Sequence, residues 1–382
     1  MTDTQNNAQK KIRVCFVSDF WRGRAGAELQ LALLLRHIDK NRIEPFVLIL
    51  HENENTITEL PDCPVFFLKM GWLRSFSSIR KMRELCRFFR QNRIDILQAL
   101  VLDNFLLAFV SLAARWCGIK KIFGFRVDIG FWMNPRQARM GKLTHRFFTD
   151  KVIANAEACK QSIIEQEHVK AENVIVIPNL IDMKCFRHIP VWNAADAGCP
   201  KRVGIVGNLK QVKGTDVFID AAKIVLDERS GVQFELAGTG KKKIYQDQIE
   251  RLGIAGNVRL LGSLTDIPAF LSALDVAVLS SRSEGLPNAV MEYMAAGRPI
   301  AVTDAGGCRE LIRHEENGLL VPPENPQALA AAILDLLDHP DRAERFAKAA
   351  RNDILGKYDA DVLANTWLEV YERELGRGLI RK

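Results

Sequence analysis

Short β-rich apolar runs alternate with amphipathic helical patterns along this chain, in two series separated by one irregular stretch. The first series opens at Ile12–Ser18 (IRVCFVS), passes through the polar loop Asp19–Gly26 and continues with a helix at about Ala27–Ile38. Strand-like runs follow at Pro45–Leu50, Val65–Leu68, Ile94–Leu97, Lys121–Phe125 and Val152–Asn155, with helical patterns such as Ser77–Arg90 and Leu102–Trp116 between them. This alternation implies a parallel sheet with helices on both faces. After Val174–Ile177 and Pro178-Asn179, the segment Asp182–Pro200 is rich in Pro, Ala, Asn and Gly and reads as a linker. The pattern then restarts with strands at Val203–Val206, Val232–Ala237, Val258–Leu261 and Val276–Leu279, and it ends in three helical patterns from Pro326 onward. The expected fold is α/β, two tandem doubly wound domains facing across a cleft. The expected bounds are 1–185 for the first domain, 186–200 for the linker and 201–358 for the second domain. A C-terminal helix in 359–382 is expected to pack back toward the first domain. Ligands of such sheets bind at the carboxyl ends of the strands.

A length of 382 residues suits two cores of this kind. No apolar stretch approaches the roughly 20 residues of a membrane span, and the polar start, Met1–Lys10, lacks the apolar core of a secretion signal. The cysteines are scattered and form no Cys-x-x-Cys pair, and the histidines show no ligand spacing. That usage suggests reduced thiols in a cytoplasmic protein and no metal site. Charge is uneven: residues 1–190 carry a net +10 and residues 191–382 a net −3. The basic half suggests an anionic partner, such as a phosphorylated acceptor or a membrane surface, or else a solvated basic face. Nucleic acid is not expected, because no recognised module or aromatic interleaving accompanies the charge.

Three loops carry chemistry. Ser283–Gly297 (SEGLPNAVMEYMAAG) follows the strand Val276–Leu279 and opens a helix near Asn288, with Pro287 where helix entry tolerates a missing N–H. The free amides and positive dipole end of such a turn suit a diphosphate. Glu284 lies before the turn, and Glu292 lies about one helical turn in, so the two carboxylates reach different parts of a bound nucleotide sugar. The second loop runs from Gly207 through Asn208, Lys210 and Lys213 to Gly214, after a buried strand. A lysine there can neutralise a leaving diphosphate, although the order is not that of a Walker loop. The third, Arg22–Glu28, has small residues that let a phosphate or sugar approach the backbone. Taken alone, the first of these is as well read as an exposed surface loop, and the other two are more simply read as solvated loops.

In their order these loops resemble the family 4 glycosyltransferases of the two-Rossmann (GT-B) fold, over nearly the whole chain. The sharpest marker is Glu284-x7-Glu292 with Gly285, Pro287 and Asn288. Pro178-Asn179-Leu180-Ile181-Asp182 with Phe186, Gly306-Gly307 with Glu310, Asn317–Val321 and Ala25-Gly26-Ala27-Glu28 extend it. The resemblance implies retaining transfer of a hexose-type sugar from a UDP- or GDP-sugar, with the nucleotide sugar as substrate, no cofactor and no metal. It places Glu284 on the donor sugar, Glu292 on the ribose, Lys213 and Gly26 on the phosphates, and the loop Gly262-Ser263-Leu264 to Asp266 on the base. Gly285, Leu286, Pro287 and Asn288 complete the donor-binding set with Asn208 and Lys210. Asn208 stands where many members have Arg, and Lys210 could supply the lost charge. Phe125-Arg126-Val127-Asp128 stands where a His-Asp pair is common, which makes Arg126 and Asp128 the acceptor-side candidates and Arg126 a third catalytic candidate beside Glu284 and Lys213. Gln98-Ala99-Leu100 replaces a His-x-His.

The acceptor expected from the basic half is a glycan, lipopolysaccharide or lipid-linked molecule, reached by a peripheral protein on the inner face of the plasma membrane. The basic amphipathic segment Trp72–Arg93 is one candidate lipid contact and otherwise an ordinary domain helix. Arg136, Arg139, Lys142 and Arg146 form a second basic patch. A nucleotide-sugar epimerase and a catalytically silent nucleotide-sugar binder are the alternatives.

Overall fold

The computed structural model describes residues 10–21, 26–51, 60–70, 77–100, 104–130, 133–196 and 200–377. Of the regions singled out above, 1–9, 22–25, 72–76, 102–103, 197–199 and 378–382 lie outside the described residues. The chain divides into two compact units, one made of residues 1–155, 159–180 and 360–382, the other of 156–158 and 181–359.

The first unit is a parallel sheet of seven strands with interleaved helices: β1 (Ile12–Ser18), α1 (Gly26–His37), β2 (Ile43–Ile49), β3 (Val65–Phe67), α2 (Ser77–Gln91), β4 (Ile96–Ala99), α3 (Asn104–Trp116), β5 (Lys121–Arg126), α4 (Pro135–Phe148), β6 (Lys151–Ala154), α5 (Glu157–Glu167) and β7 (Val174–Val176). The order β3-β2-β1-β4-β5-β6-β7 reverses direction between β1 and β4. Strands buried on both faces need near-continuous apolar sequence, and β1 meets that need with Val14, Cys15, Phe16 and Val17 all fully buried.

Helix α2 tests the lipid-contact expectation directly. Its apolar side, with Leu85, Phe88 and Phe89, is buried in the core that also holds Phe46, Leu97 and Val110. The described part of this segment therefore spends most of its apolar stripe inward, while Arg80, Arg83, Arg87 and Arg90 face solvent together with Ile79 and Gln91.

The second unit holds β8 (Lys201–Val206), α6 (Thr215–Glu228), β9 (Val232–Ala237), α7 (Lys242–Arg251), β10 (Val258–Gly262), α8 (Ile267–Ser272), β11 (Val276–Leu279), α9 (Asn288–Ala295), β12 (Ile300–Thr303), α10 (Cys308–Leu311), β13 (Leu319–Val321), α11 (Pro326–Asp338) and α12 (Pro340–Ile354). Its strand order is β10-β9-β8-β11-β12-β13, all parallel, with the reversal between β8 and β11. This is the dinucleotide-fold order, in which ligands bind beyond the carboxyl ends of the two strands at the reversal.

The segment read as a linker behaves otherwise. Ile189 and Trp192 are buried, the Trp192 amide donates to the Gly297 carbonyl at 2.9 Å, and the Arg351 guanidinium donates to the Ile189 carbonyl at 2.6 Å. Its described residues are a packed wall of the second unit, because apolar side chains punctuate a stretch whose Pro and Ala content suggested a loose tether. The last helix, α13 (Ala360–Glu374), belongs to the first unit. There Tyr371 stacks edge-on to Phe123 at 5.7 Å, His37 meets Asp361 at 2.5 Å, and Glu372 pairs with Arg42.

Candidate active site

At the strand reversal of the second unit, two loops leave neighbouring strands and are joined side chain to side chain. The loop after β8 ends in a turn of 3-10 helix, Gln211–Lys213, closed by Gly214 at φ +60°. A Cβ at Gly214 would run into the Ser280 carbonyl oxygen, so the backbone of one loop passes against the other only with glycine here. Ser280 Oγ lies within hydrogen-bond distance of the Lys213 and Gly214 carbonyls at 3.1 and 2.8 Å, and the Arg282 amide donates to the Val212 carbonyl at 2.8 Å. The Arg282 guanidinium grips the Asp216 carboxylate in bidentate fashion at 2.9 and 2.7 Å, and also Glu324 at 2.7 Å. That pairing holds the Asp216 carboxyl below its ordinary range and raises the guanidinium's pKa.

This joined frame sets the first carboxylate of the motif. Glu284 is buried, its Oε1 accepting from Lys213 Nζ at 2.6 Å and from Ser281 Oγ at 2.5 Å. The loop behind it is equally close: a Cβ at Gly306 would strike the Glu284 carbonyl, and one at Gly307 the Gly285 carbonyl. The Gly307 amide donates to that Gly285 carbonyl at 2.9 Å. The Gly306-Gly307 pair thus lets one loop press on the backbone of another.

Helix α9 begins at Asn288, with Pro287 at its N-cap and no side chain capping it. Glu292 lies one turn in and is half-buried, and no hydrogen bond to its carboxylate is found among the described residues. Burial pushes that carboxyl up to about 7, so it titrates near neutrality. The next residue carries a function the sequence reading missed. Tyr293 Oη accepts from the Val206 amide at 2.8 Å and donates to the Val278 carbonyl at 3.0 Å. It therefore joins β8 to β11 where the two strands part company, and burial raises its pKa so that the hydroxyl keeps its proton. No sequence signal marks this role, because a tyrosine inside an apolar helix reads as core.

Around this centre the other donor-side candidates fall into two groups. Asn208 and Lys210 are exposed, Asn208 Oδ1 accepting from Thr239 Oγ1 at 3.3 Å. Gly262 ends β10 at φ +79°, Ser263 is exposed and Leu264 half-buried, and Asp266 caps α8 by accepting from the Ala269 amide at 2.9 Å. Gly285, Leu286 and Pro287 are buried within the Glu284 loop.

The remaining candidates lie in the first unit. Gly26 is the first residue of α1 and is exposed. Arg126 ends β5 and is buried, with its guanidinium paired to Glu167, whose side chain is fully enclosed, and 3.6 Å from Asp128. His145 Nε2 stands 3.2 Å from the second Glu167 oxygen. Burial, and then the nearby Arg126 charge, lowers His145 to about 4, so the imidazole is neutral while Glu167 serves the guanidinium. A Cβ at Gly141 would collide with Glu167, which makes this glycine part of the same cluster. Asp128 also accepts from the Gly130 amide at 2.8 Å. Gln98 is fully buried, 3.4 Å from Tyr371 Oη, so it is a core residue.

Two family profiles match this chain, Glycosyltransferase Family 4 over residues 24–184 and Glycosyl transferases group 1 over residues 200–339. The chain belongs to the family 4 glycosyltransferases. As a member of that family it is 29% identical over 250 residues to D-inositol 3-phosphate glycosyltransferase of Thermobispora bispora, covering 60% of this chain and 57% of the relative. It is 26% identical over 328 residues to an N,N'-diacetylbacillosaminyl-diphospho-undecaprenol α-1,3-N-acetylgalactosaminyltransferase of Campylobacter jejuni, covering 81% and 85%. Among solved structures, Anabaena HepE in complex with UDP and glucose superposes with a TM-score of 0.82 at 22% identity, over 94% of this chain and 99% of that one. The family 4 chain thus has the GT-B architecture of two α/β units.

Proposed function

We propose that this chain is a metal-independent, retaining glycosyltransferase that moves a hexose-type sugar from a UDP- or GDP-sugar to a glycan, lipopolysaccharide or lipid-linked acceptor. The observation that carries this is the Lys213–Glu284 contact of 2.6 Å at the strand reversal of the second unit. A cation and a carboxylate are fixed there beside a helix N-terminus. A nucleoside diphosphate entering at this point meets the ammonium of Lys213 and the positive end of α9. Glu284, held from one side by Ser281, turns its remaining acceptor capacity to sugar hydroxyls. Glu292, one turn along α9, accepts from the ribose. The UDP and glucose named for HepE and the diphospho-undecaprenol named for the Campylobacter jejuni relative support this choice of donor and acceptor class.

In the transition state the bond from the anomeric carbon to the diphosphate oxygen breaks, and its electron pair goes to the phosphate. The acceptor oxygen bonds the same face of the carbon, and its proton passes to the departing phosphate. Lys213 stabilises the charge that grows there, a kind of contribution worth about 3 kcal/mol. A double displacement needs two carboxyls about 5 Å apart flanking the bond. Glu284 and Glu292 instead serve different parts of the donor, which favours front-face attack. On the acceptor side we assign Asp128 as the group that meets the acceptor and Arg126 as the residue that orients it, since the guanidinium already faces Glu167. The test is proton NMR of the product: an anomeric configuration equal to the donor's is expected, and clean inversion overturns the reading.

A further inference from the structure

Helices α3 and α4 lie side by side on the first unit, with Asn104 Nδ2 donating to the Gln137 carbonyl at 3.2 Å and Arg115 paired to Asp150 at 2.9 Å. Five of the eleven exposed large apolar side chains among the described residues stand on these two helices: Phe105, Leu112 and Trp116 on α3, Leu143 and Phe147 on α4. The other six are scattered over the remaining sequence, as is ordinary for single surface residues. Trp116 is 70% exposed and Phe147 62%, values at which the rings gain nothing from the core they flank. Leu112 and Trp116 are one turn apart, as are Leu143 and Phe147, so each pair projects from one side of its helix.

Charge decides what such a face meets. Neither helix contains an Asp or Glu. On α4 the exposed positions between and beside the apolar pair are Arg136, Arg139, Lys142 and Arg146, and the Arg146 guanidinium lies over the Phe147 ring at 5.6 Å. Among the described residues only Arg115 has a carboxylate partner on this face, Asp150. A second copy of the chain would set these cations against one another across a two-fold interface. An anionic bilayer satisfies both features, taking the aromatic and aliphatic tips into the headgroup boundary while the cations meet lipid phosphates. Among the described residues no helix is long and apolar enough to cross a membrane, so the contact is one of lying on the surface.

We infer that the α3–α4 face docks the protein on anionic membrane. This inference stands independently of the sugar transferred, since none of its residues touches the proposed donor site.

The experiment is flotation of the full chain with phosphatidylglycerol vesicles and, separately, with phosphatidylcholine vesicles. Salt-sensitive binding to the first and not the second is expected. Replacing Arg139, Lys142 and Arg146 together by Ala should weaken it on the order of 100-fold, at the usual worth of a basic residue near such a surface. Trp116→Ser with Phe147→Ser should also release the protein, while both variants keep the native melting temperature and native turnover of nucleotide sugar with a water-soluble acceptor. Equal binding to both vesicle types, no binding to phosphatidylglycerol, or variants that bind like the native chain would each overturn the inference. So would a concentration-dependent dimer that the Phe147→Ser change disperses, which would make the face a protein interface.

Discussion

Lys213 Nζ and Glu284 Oε1 stand 2.6 Å apart, and through them the loop after β8 is fastened to the loop after β11. The contact lies where the strand order of the second unit reverses, so a charge pair is fixed at the place where the sheet offers a ligand crevice.

Lys213→Ala should cost turnover beyond its cost in stability. Lys213 is half-buried, but its partner Glu284 is buried and would keep only Ser281, so some stability is lost as well. Turnover should fall by about 100- to 1000-fold, the range for removing one group that stabilises transition-state charge. Steady-state kinetics with a fixed acceptor, alongside a melting curve, checks both halves.

Glu292 predicts a pH dependence. Its folded pKa of about 7 lies above the ordinary 4.5, so its protonated form contributes stability below about 4.5 that is lost as pH rises through about 7. If ribose hydroxyls donate to this carboxylate, donor binding favours the ionised form and releases a proton. Donor affinity should then rise with pH toward 7 and level off above it. Glu292→Gln should flatten that profile and make the protein relatively more stable above pH 7. Calorimetric titration in buffers of different ionisation enthalpy reads the proton release.

Tyr293→Phe should destabilise the second unit by about 1–3 kcal/mol, because it strands the half-buried Val206 amide and the buried Val278 carbonyl at once. The strand reversal would loosen with it, so weaker donor binding should accompany the lower melting temperature. A variant with native stability would contradict the bridging role.

In the first unit, Glu167→Gln should cost about 3–5 kcal/mol by removing the enclosed carboxylate that pairs with the buried Arg126 charge, which Asp128 at 3.6 Å only partly replaces. Pairing it with Arg126→Leu should recover much of the loss. Urea denaturation of the single and double variants measures the coupling.

Much of this was legible in the sequence where the signal is local. Ser283–Gly297 reads as strand, loop and helix because Val276–Leu279 is apolar and Pro287 punctuates the turn, and α9 does begin at Asn288. What escaped depends on partners far along the chain. Tyr293 looks like one more apolar residue of α9 until Val206 and Val278 are brought beside it. Arg282 follows the strand as an unremarked loop residue, yet Asp216 and Glu324 converge on it. Arg126 reads as an acceptor-side and catalytic candidate because nothing nearby in sequence announces Glu167. The segment 186–200 reads as a linker because Ile189 and Trp192 are too few to show periodicity, although both are buried. Helix α2 shows the limit of amphipathicity itself: a basic stripe beside an apolar one has the same pattern whether the apolar side meets lipid or, as here, Leu97 and Val110.

We propose that the second unit holds a nucleotide-sugar donor at Lys213, Glu284 and Glu292. The most direct test is thermal unfolding of the full chain against UDP-, GDP-, ADP- and CMP-sugars, with EDTA present. A donor at ~100 times its dissociation constant should add about 2.7 kcal/mol of stability. A selective rise with a UDP- or GDP-sugar is expected, one that survives the chelator and is reduced in Lys213→Ala and Glu292→Ala. A rise that appears only when Mg²⁺ is supplied, or one that both variants leave intact, would contradict the proposal.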